Sequence, residues 1–444
     1  GITSDTQNFA NIQVTNTGTI AFQDAWSAVD LTNETAGSGL EFNAGSTYTI
    51  SGSLRLSGSS GSEINLISST TNTSFILDVT GSDQNVSFVA VRDSEASTND
   101  ITASNSINNG GNDDGDAPAT AQWVFVTGIN TYTWNGNNDA TTWEQQGNWD
   151  IGDGSPGNDG YPDDNGDKAL IDSTTHSIVT ASGTLTIGDL EMSNAFAGTL
   201  TLGGSLVVDD AAAGDGDILM TAAGTFQTGE DAYTQIVVDG TFTIGSSATV
   251  IVQRASTTAN GGNGEGQTIT ASNMIIAGTL HADEHGFVGG DGPGDGTDGA
   301  EAGGAAYGGI GGDARDETSG GSVYGSATNP TALGSGGGND GGNLGGTGGG
   351  AIILVVTNIL DIDGRISADA QQLGTLSQAG GGSGGTINIT ATTLTGTGVI
   401  QALGGSEDNF GGAGGGGRID FSEITTFNFN GSVSVAGGTI TGLV

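Results

Sequence analysis

Apolar residues along this chain recur at alternate positions in short runs, and nowhere keep the i, i+3, i+4, i+7 spacing of an amphipathic helix over three turns. Tyr48-Thr49-Ile50, Leu54-Arg55-Leu56, Phe75-Ile76-Leu77-Asp78-Val79, Val86-Ser87-Phe88-Val89, Leu200-Thr201-Leu202, Leu206-Val207-Val208 and Thr241-Phe242-Thr243-Ile244 are examples. Gly, Asn, Asp and Ser bound each run. The pattern predicts strands of three to five residues joined by tight turns, an all-β chain. Strands so short and so evenly spaced fit a solenoid, in which every turn of the coil adds one rung to a narrow continuous core.

The C-terminal third carries the repeat openly. Ala351-Ile352-Ile353-Leu354 returns as Thr386-Ile387-Asn388-Ile389 and again as Arg418-Ile419-Asp420-Phe421. A second strand follows each: Ile359–Ile362, then Leu394-Thr395, then Phe427-Asn428-Phe429. Thr268-Ile269-Thr270 with Met274-Ile275-Ile276 is a fainter copy upstream. The step from Ala351 to Thr386, and the similar step from Thr386 to Arg418, lie in the solenoid range. Between Gly286 and Gly350 glycine is by far the commonest residue. An ordered glycine tract has two arrangements open to it: extended polyproline/polyglycine-II-like strands packed side by side, or loops pinned along the solenoid flank. The first is favoured, with Gly380–Gly385 and Gly411–Gly417 adding segments to the same layer. The patterns divide the chain into an N-terminal β-helix block (1–127), a Trp/Asp-rich joining segment (128–172), a second β-helix block (173–285), an ordered Gly-rich insertion (286–350) and Gly-rich β-solenoid repeats (351–444).

Composition narrows the function. Among 444 residues there are 50 acidic and 7 basic, a formal net charge of −43, and no cysteine. Lys168 is the one lysine, and the arginines stand singly at Arg55, Arg92, Arg254, Arg315, Arg365 and Arg418. Such a surface argues against nucleic acid as a partner and against a polybasic membrane contact. With no apolar run of about 18 residues, membrane insertion through a helix is not expected. A chain without cysteine has neither disulfides nor thiolate chemistry. Charge this one-sided repels copies of itself unless salt or divalent ions screen it. An extracellular or cell-surface location, as a mature secreted product or a piece of a longer chain, is the expectation.

Three stretches carry a resemblance. Val86–Ser94 with Ile101–Ser106, Gly110-Gly111-Asn112 and Trp123-Val124-Phe125 resembles the closing rungs of parallel β-helix modules in modular bacterial secreted surface proteins. Trp134-Asn135-Gly136, Trp143, Asn148-Trp149-Asp150, Pro162 and Asp167–Ile171 resemble the entry segment of autotransporter- and adhesin-like β-helix repeats. The glycine tracts ahead of Thr386–Ile389 and Arg418–Phe421 are similar to those of glycine-rich secreted repeat proteins. The resemblance implies secretion, a right-handed parallel β-helix, and roles in adhesion, matrices or fibres.

Several clusters invite chemistry. Asp150, Asp153, Asp159, Asp163, Asp164 and Asp167, interleaved with Asn and Gly, form a candidate calcium loop, since hard divalent cations collect six to eight oxygens. It lacks the full EF-hand pattern, and a solvated turn-rich loop is the plainer alternative. Asp291, Asp295 and Asp298 are a weaker calcium candidate. His281 and His285 are four apart, but in strand-and-turn surroundings rather than on a zinc-binding helix. Trp123, Trp134, Trp143 and Trp149 crowd into one short stretch of the chain; they either plug a joint in the core or stack on sugars. Asp113-Asp114 lacks a nearby His or Lys for acid–base work.

The expectation is therefore a non-enzymatic extracellular structural protein. It self-assembles into a filament, sheath or surface matrix by end-to-end strand pairing and Gly-rich lateral faces. Its partners are itself and, in a rival reading, surface glycans bound by a cell-surface adhesin. A calcium-dependent polysaccharide-active enzyme and an ice-binding face are further alternatives. Calcium is the single cofactor in view.

Overall fold

The computed structural model describes residues 3, 8–58, 62–81, 83–104, 106–112, 121–126, 130–136, 139, 141–145, 148–151, 161–163, 167–172, 177–193, 195–209, 216–231, 233–373, 378–407 and 410–440. The chain is nearly all-β, and its sheets are built from parallel pairs with one antiparallel exception. A single helical turn, Ala259–Gly262, has left-handed backbone at Asn260 and Gly261. No helix among the described residues is long and apolar enough to cross a membrane. Two compact units divide the chain, Gly1–Ile129 and Asn130–Val444.

In the first unit a nine-stranded and a five-stranded sheet share one core. The chain alternates between them, because glycines and polar turns end each strand before it can lengthen. Thr47–Ile50 and Ser53–Ser57 lie in the larger sheet, Ile64–Ser68 in the smaller, Phe75–Val79 in the larger again, and Val89–Arg92 in the smaller. Register keeps inward residues stacked: Leu40 lies beside Leu66 and Leu66 beside Val91, while Tyr48 lies beside Leu77. The run from Val86 to Val89, expected as one strand, is two. Phe88 takes a left-handed backbone (φ 50°), which turns a corner and sends Val89 to the opposite sheet. Phe22, Trp26, Phe42, Tyr48 and Phe75 form the aromatic heart of this unit, with Phe42 and Phe75 stacked at 4.3 Å.

The second unit stacks a twelve-stranded and an eight-stranded sheet. The eight-stranded sheet runs strictly in chain order, each strand beside the next one back along the sequence. Its inward residues make one column: Ile178, Leu200, Phe226, Val250, Leu280, Ile366, Ile400 and Val433. The facing sheet supplies another: Leu190, Ile218, Phe242, Met274, Leu360, Leu394 and Phe427. Every member except the last of each column is buried. At about 1.5–3 kcal/mol for each buried side chain of this size, the columns supply the main cohesion. The register also reproduces the sequence repeat, pairing Ala351 with Thr386 and Thr386 with Arg418.

The glycine tracts are held differently. Their backbones bond to one another across the sequence: Gly380 N–H to Gly338 carbonyl (2.8 Å), Gly338 to Gly303 (3.0 Å), Gly412 to Ala302 (2.8 Å), Gly304 to Gly312 (2.9 Å) and Gly312 to Ala413 (2.8 Å). Gly346 donates to Gly380, and Gly337 to Gly346, both at 2.9 Å. Segments from 286–350, 380–385 and 411–417 thus form one hydrogen-bonded layer. A side chain at Gly380 would overlap the Gly303 carbonyl, and one at Gly412 the Gly312 carbonyl, so only glycine permits this approach. One tyrosine fastens the layer to a strand and a second ties the layer to itself. Tyr307 shares a hydrogen bond with Thr386 (2.7 Å), while Tyr324 donates to the Leu333 carbonyl and accepts from Ser335. Arg418 lies over the Tyr307 ring and donates to the Tyr324 carbonyl at 2.8 Å.

Candidate assembly edges and the acidic segment

The larger sheet of the second unit begins with an antiparallel pair. Trp149–Ile151 runs antiparallel to Asn130–Trp134, and the reversed direction ends the parallel stack. Trp134, Trp143 and Trp149 are buried beneath it, with edge-to-face contacts of 4.9 Å between Trp134 and Trp149 and 4.7 Å between Trp143 and Trp149. Trp143 donates its indole N–H to the Pro162 carbonyl (3.0 Å) and Trp149 to the Trp143 carbonyl (2.7 Å). Trp123 belongs to the core of the first unit, where it donates to Ser94. All four tryptophans are therefore core residues, and they form no exposed row for sugar stacking.

At the other edge the last described strands pair on one side only. Arg418–Phe427 pairs only with Thr386–Thr395 among the described residues, and Ser432–Ser434 only with Val399–Gln401. Phe427 is 52% exposed and Val433 46%, although both occupy column positions that are buried in every earlier rung. Val435 is exposed to the same extent as Val433, and Ile419, Phe421 and Ile424 are half-buried beside them. The first unit has an edge of the same kind. Asn8–Val14 pairs only with Ser27–Asn33 among the described residues, Thr19–Phe22 only with Gly39–Phe42, and Phe9, Ile12 and Ile20 are half-buried.

Of the candidate calcium residues, Asp153, Asp159 and Asp164 lie outside the described residues, as do Asp113 and Asp114. Asp150 is exposed on the antiparallel strand. Asp167 is buried at the start of Asp167–Ile171 and accepts the Asp163 N–H at 3.2 Å. Asp163 also lines a cleft of about 280 Å³ with Glu144, Tyr161 and residues 181–185. Among the described residues no three acidic or histidine side chains gather closely enough to hold a metal.

His281 and His285 sit with ring centres 6.5 Å apart. Burial pushes both imidazoles below their usual pKa, His285 to about 4. Asp283, between them in sequence, lies 3.7 Å from His281 Nδ1 but makes its closer contacts elsewhere. It accepts the Asp369 N–H (2.7 Å) and the Ser367 hydroxyl (2.9 Å), and it pairs with Arg365 at 3.2 Å. One rung later Asp369 repeats the part, accepting the Leu403 N–H (2.7 Å) and the Gln401 amide. Arg365 bridges the two carboxylates.

The same device recurs through the fold. Asp30 accepts the Ser53 N–H, Asp189 that of Asp217, Asp217 that of Thr241, and Asp363 that of Thr397. In the glycine layer Asp298 accepts from Asn339 and Asp340 from Gln378. Each carboxylate takes a backbone donor from a neighbouring turn, in bonds of the charge-assisted kind. The Asp283–Asp369 pairing escapes a reading of the sequence because the two partners stand far apart in the chain, with the glycine-rich insertion between them. The following step, from Asp369 to Leu403, matches the visible repeat.

A scan against protein-family models, a search of curated proteins and a search of solved structures each returned no match for this chain.

Proposed function

We propose that this chain is an extracellular structural protein, a right-handed parallel β-helix with a polyglycine-II-like layer, that assembles with itself into a filament, sheath or surface matrix. The observation that carries this reading is the glycine layer, whose segments from 286–350, 380–385 and 411–417 bond backbone to backbone. The resemblance to modular secreted β-helix proteins and the Lys-poor, cysteine-free composition support the extracellular location. The glycine layer offers close-packing lateral contact, because its backbone meets neighbours with no side chain between.

Assembly must overcome a net charge of −43. Carboxylates bonded to backbone donors are held in place but still charged, so long-range repulsion falls to salt or divalent ions. Segment 150–167 is the candidate calcium ligand set. Electron microscopy of concentrated protein, with calcium and with chelator, is the test. Filaments are expected at high salt or with calcium, and fewer after chelation. Monodisperse particles under every condition overturn the assembly reading. The cleft at Glu144, Tyr161 and Asp163 would then favour the adhesin, since a tyrosine ring beside carboxylates suits a sugar; glycan-array binding by monomers checks it.

A further inference from the structure

We infer that His281 and His285 form an acid-sensitive latch on the neck of the glycine-rich insertion, where the chain leaves the sheets after Thr279–His281 and returns to them at Ala351. The inference goes beyond the assembly reading and does not depend on it.

The neck has two legs, an outgoing turn at 282–287 and a returning segment at 348–350. Gly286 N–H bonds to the Gly348 carbonyl (2.8 Å), Gly348 N–H to the Phe287 carbonyl (2.9 Å) and Gly350 N–H to the Ala282 carbonyl (2.7 Å). The fit is close, since a Cβ at Gly350 would lie 3.0 Å from that of His285 and 2.9 Å from that of Ala282. The turn is also tied to the next rung. Ala282 N–H donates to the Ser367 carbonyl (2.8 Å) and Glu284 N–H to the Asp369 carbonyl (2.9 Å), while the Asp283 carboxylate takes the Asp369 N–H and the Ser367 hydroxyl. Glu284 holds a left-handed backbone (φ 63°) to make this corner. Opening the turn parts both ends of the insertion from the sheets.

Both imidazoles are half-buried in that turn. His281 Nδ1 accepts the Asp283 N–H at 3.4 Å, which only the unprotonated nitrogen can do. The charged groups about His281 are Asp283, Arg365, Asp369 and Glu284; those about His285 are Arg254 and Asp283, with His281 beside it. Arg254 is held by Glu230 and Asp231, and Arg365 by Asp283 and Asp369, so neither guanidinium is free to move off. The returning leg brings only glycine. Protonating the pair thus puts charge into a half-buried turn beside two fixed cations. On His281 it also removes the acceptor of the Asp283 N–H, and it draws the Asp283 carboxylate, 3.7 Å away, from the Asp369 N–H that it pins. The neighbouring carboxylates attract protons, but burial outweighs them, and both imidazoles lie below their usual pKa.

The opened turn therefore takes up protons that the closed turn refuses. The closed form has its full advantage above the ordinary value of 6.5 and loses it as pH falls toward the folded value, about 4 for His285. A shift of that size makes the open turn about tenfold more populated at pH 5.5 than at pH 8.

Amide hydrogen exchange on the full chain tests this, with protection expressed relative to free amides at each pH. Protection of 282–287 and 348–350 should fall about tenfold between pH 8 and 5.5 while that of Ala351–Ile362 holds. His285→Gln should remove most of the fall. Asp369, which burial shifts upward, is common to both proteins, so their difference reads the histidine. An equal fall in His285→Gln, or no fall in the unsubstituted chain, overturns the latch. Should His285→Gln disrupt the turn at every pH, titration of the imidazole ring protons by NMR decides. Two of the chain's three histidines should titrate below 6.5, and Arg254→Gln should move one of them upward. Ordinary titration of all three overturns the inference.

Discussion

The aliphatic columns and the glycine layer of the second unit solve one problem in opposite ways. Both must exclude water from a parallel array of backbones whose polar groups need partners. In the columns, side chains such as Leu280, Ile366 and Ile400 fill the space between two sheets, and the ladders lie outside them. In the layer, apart from a few buried side chains such as Phe287, Tyr307 and Leu333, backbones touch directly and bond across the space, as Gly380 does with Gly338 and Gly346. One region is made by methyl groups and the other by their absence. Mutations should therefore act with opposite sign: the columns suffer when carbon is removed, and the layer when carbon is added.

The largest effect is expected in the columns. Leu394→Ala should cost about 2–5 kcal/mol, the range for truncating a buried leucine in a packed core. Its register partner Phe427, one rung on, should cost about 1 kcal/mol or less when changed to alanine in dilute monomer, because it is half exposed. Urea unfolding at low protein concentration reads both. Equal losses would show that the last rung is covered in solution, and the contrast between internal and terminal rungs would fail.

In the layer, Gly380→Ala should cost about 3 kcal/mol, the upper part of the range for overpacking. The added methyl meets the Gly303 carbonyl, which belongs to a bonded backbone and cannot swing aside as a side chain does. Gly341, in the same tract but with nothing near its added methyl, should change by no more than about 0.5 kcal/mol as Gly341→Ala. A tolerated Gly380→Ala would mean that the layer is loosely packed, and the two regions would then differ in composition alone.

These two constructions are unequally legible in the sequence. The columns follow from alternation and from the repeat that aligns Ala351, Thr386 and Arg418, the same residues that the register pairs. Local pattern is enough because each strand pairs with its successor in the chain. The glycine layer is legible as a tract but not as a set of contacts. Glycine carries no side chain to signal which neighbour it meets, and Gly412 bonds to Ala302, far back in the chain. Phe88 shows a second limit, since alternation runs through it unbroken while the backbone turns a corner there. The acidic residues illustrate a third. Asp283, Asp369 and Asp340 bond to backbone donors that only the stacking brings near, so their partners are not written in the local sequence. For the tryptophans, burial separates the alternatives of plug and platform, and composition does not encode burial.

Acid should separate the two regions by a smaller margin. Two carboxylates that tie the layer, Asp340 and Asp420, and one in a local turn of it, Asp316, have lowered pKa values. For Asp316 the Thr318 side chain and N–H are the cause. For Asp340 burial works the other way, but Asn343 and the N–H groups of Gly342 and Gln378 prevail and hold it down to about 2. For Asp420 burial is likewise outweighed, by the Ser422 and Asn329 N–H groups. On the column side Asp361, in Ala351–Ile362, and Asp369, just past Arg365–Ser367, are shifted upward, chiefly by burial. A carboxylate with a depressed folded pKa contributes stability that is present above its unfolded value near 4 and is lost as pH falls toward the folded value. A raised one has the opposite sign, its burden easing as it protonates. Asp295, pushed up by burial and by Asp298, offsets part of the effect within the layer. Between pH 5 and 2 the layer should thus loosen before the columns do. Amide hydrogen exchange reads this directly: protection of 334–349 should fall while that of Ala351–Ile362 persists, and Asp340→Asn should flatten the pH dependence of the first. Simultaneous loss of protection in both would show a single cooperative unit, in which backbone contact and side-chain packing, though chemically opposite, stand or fall together.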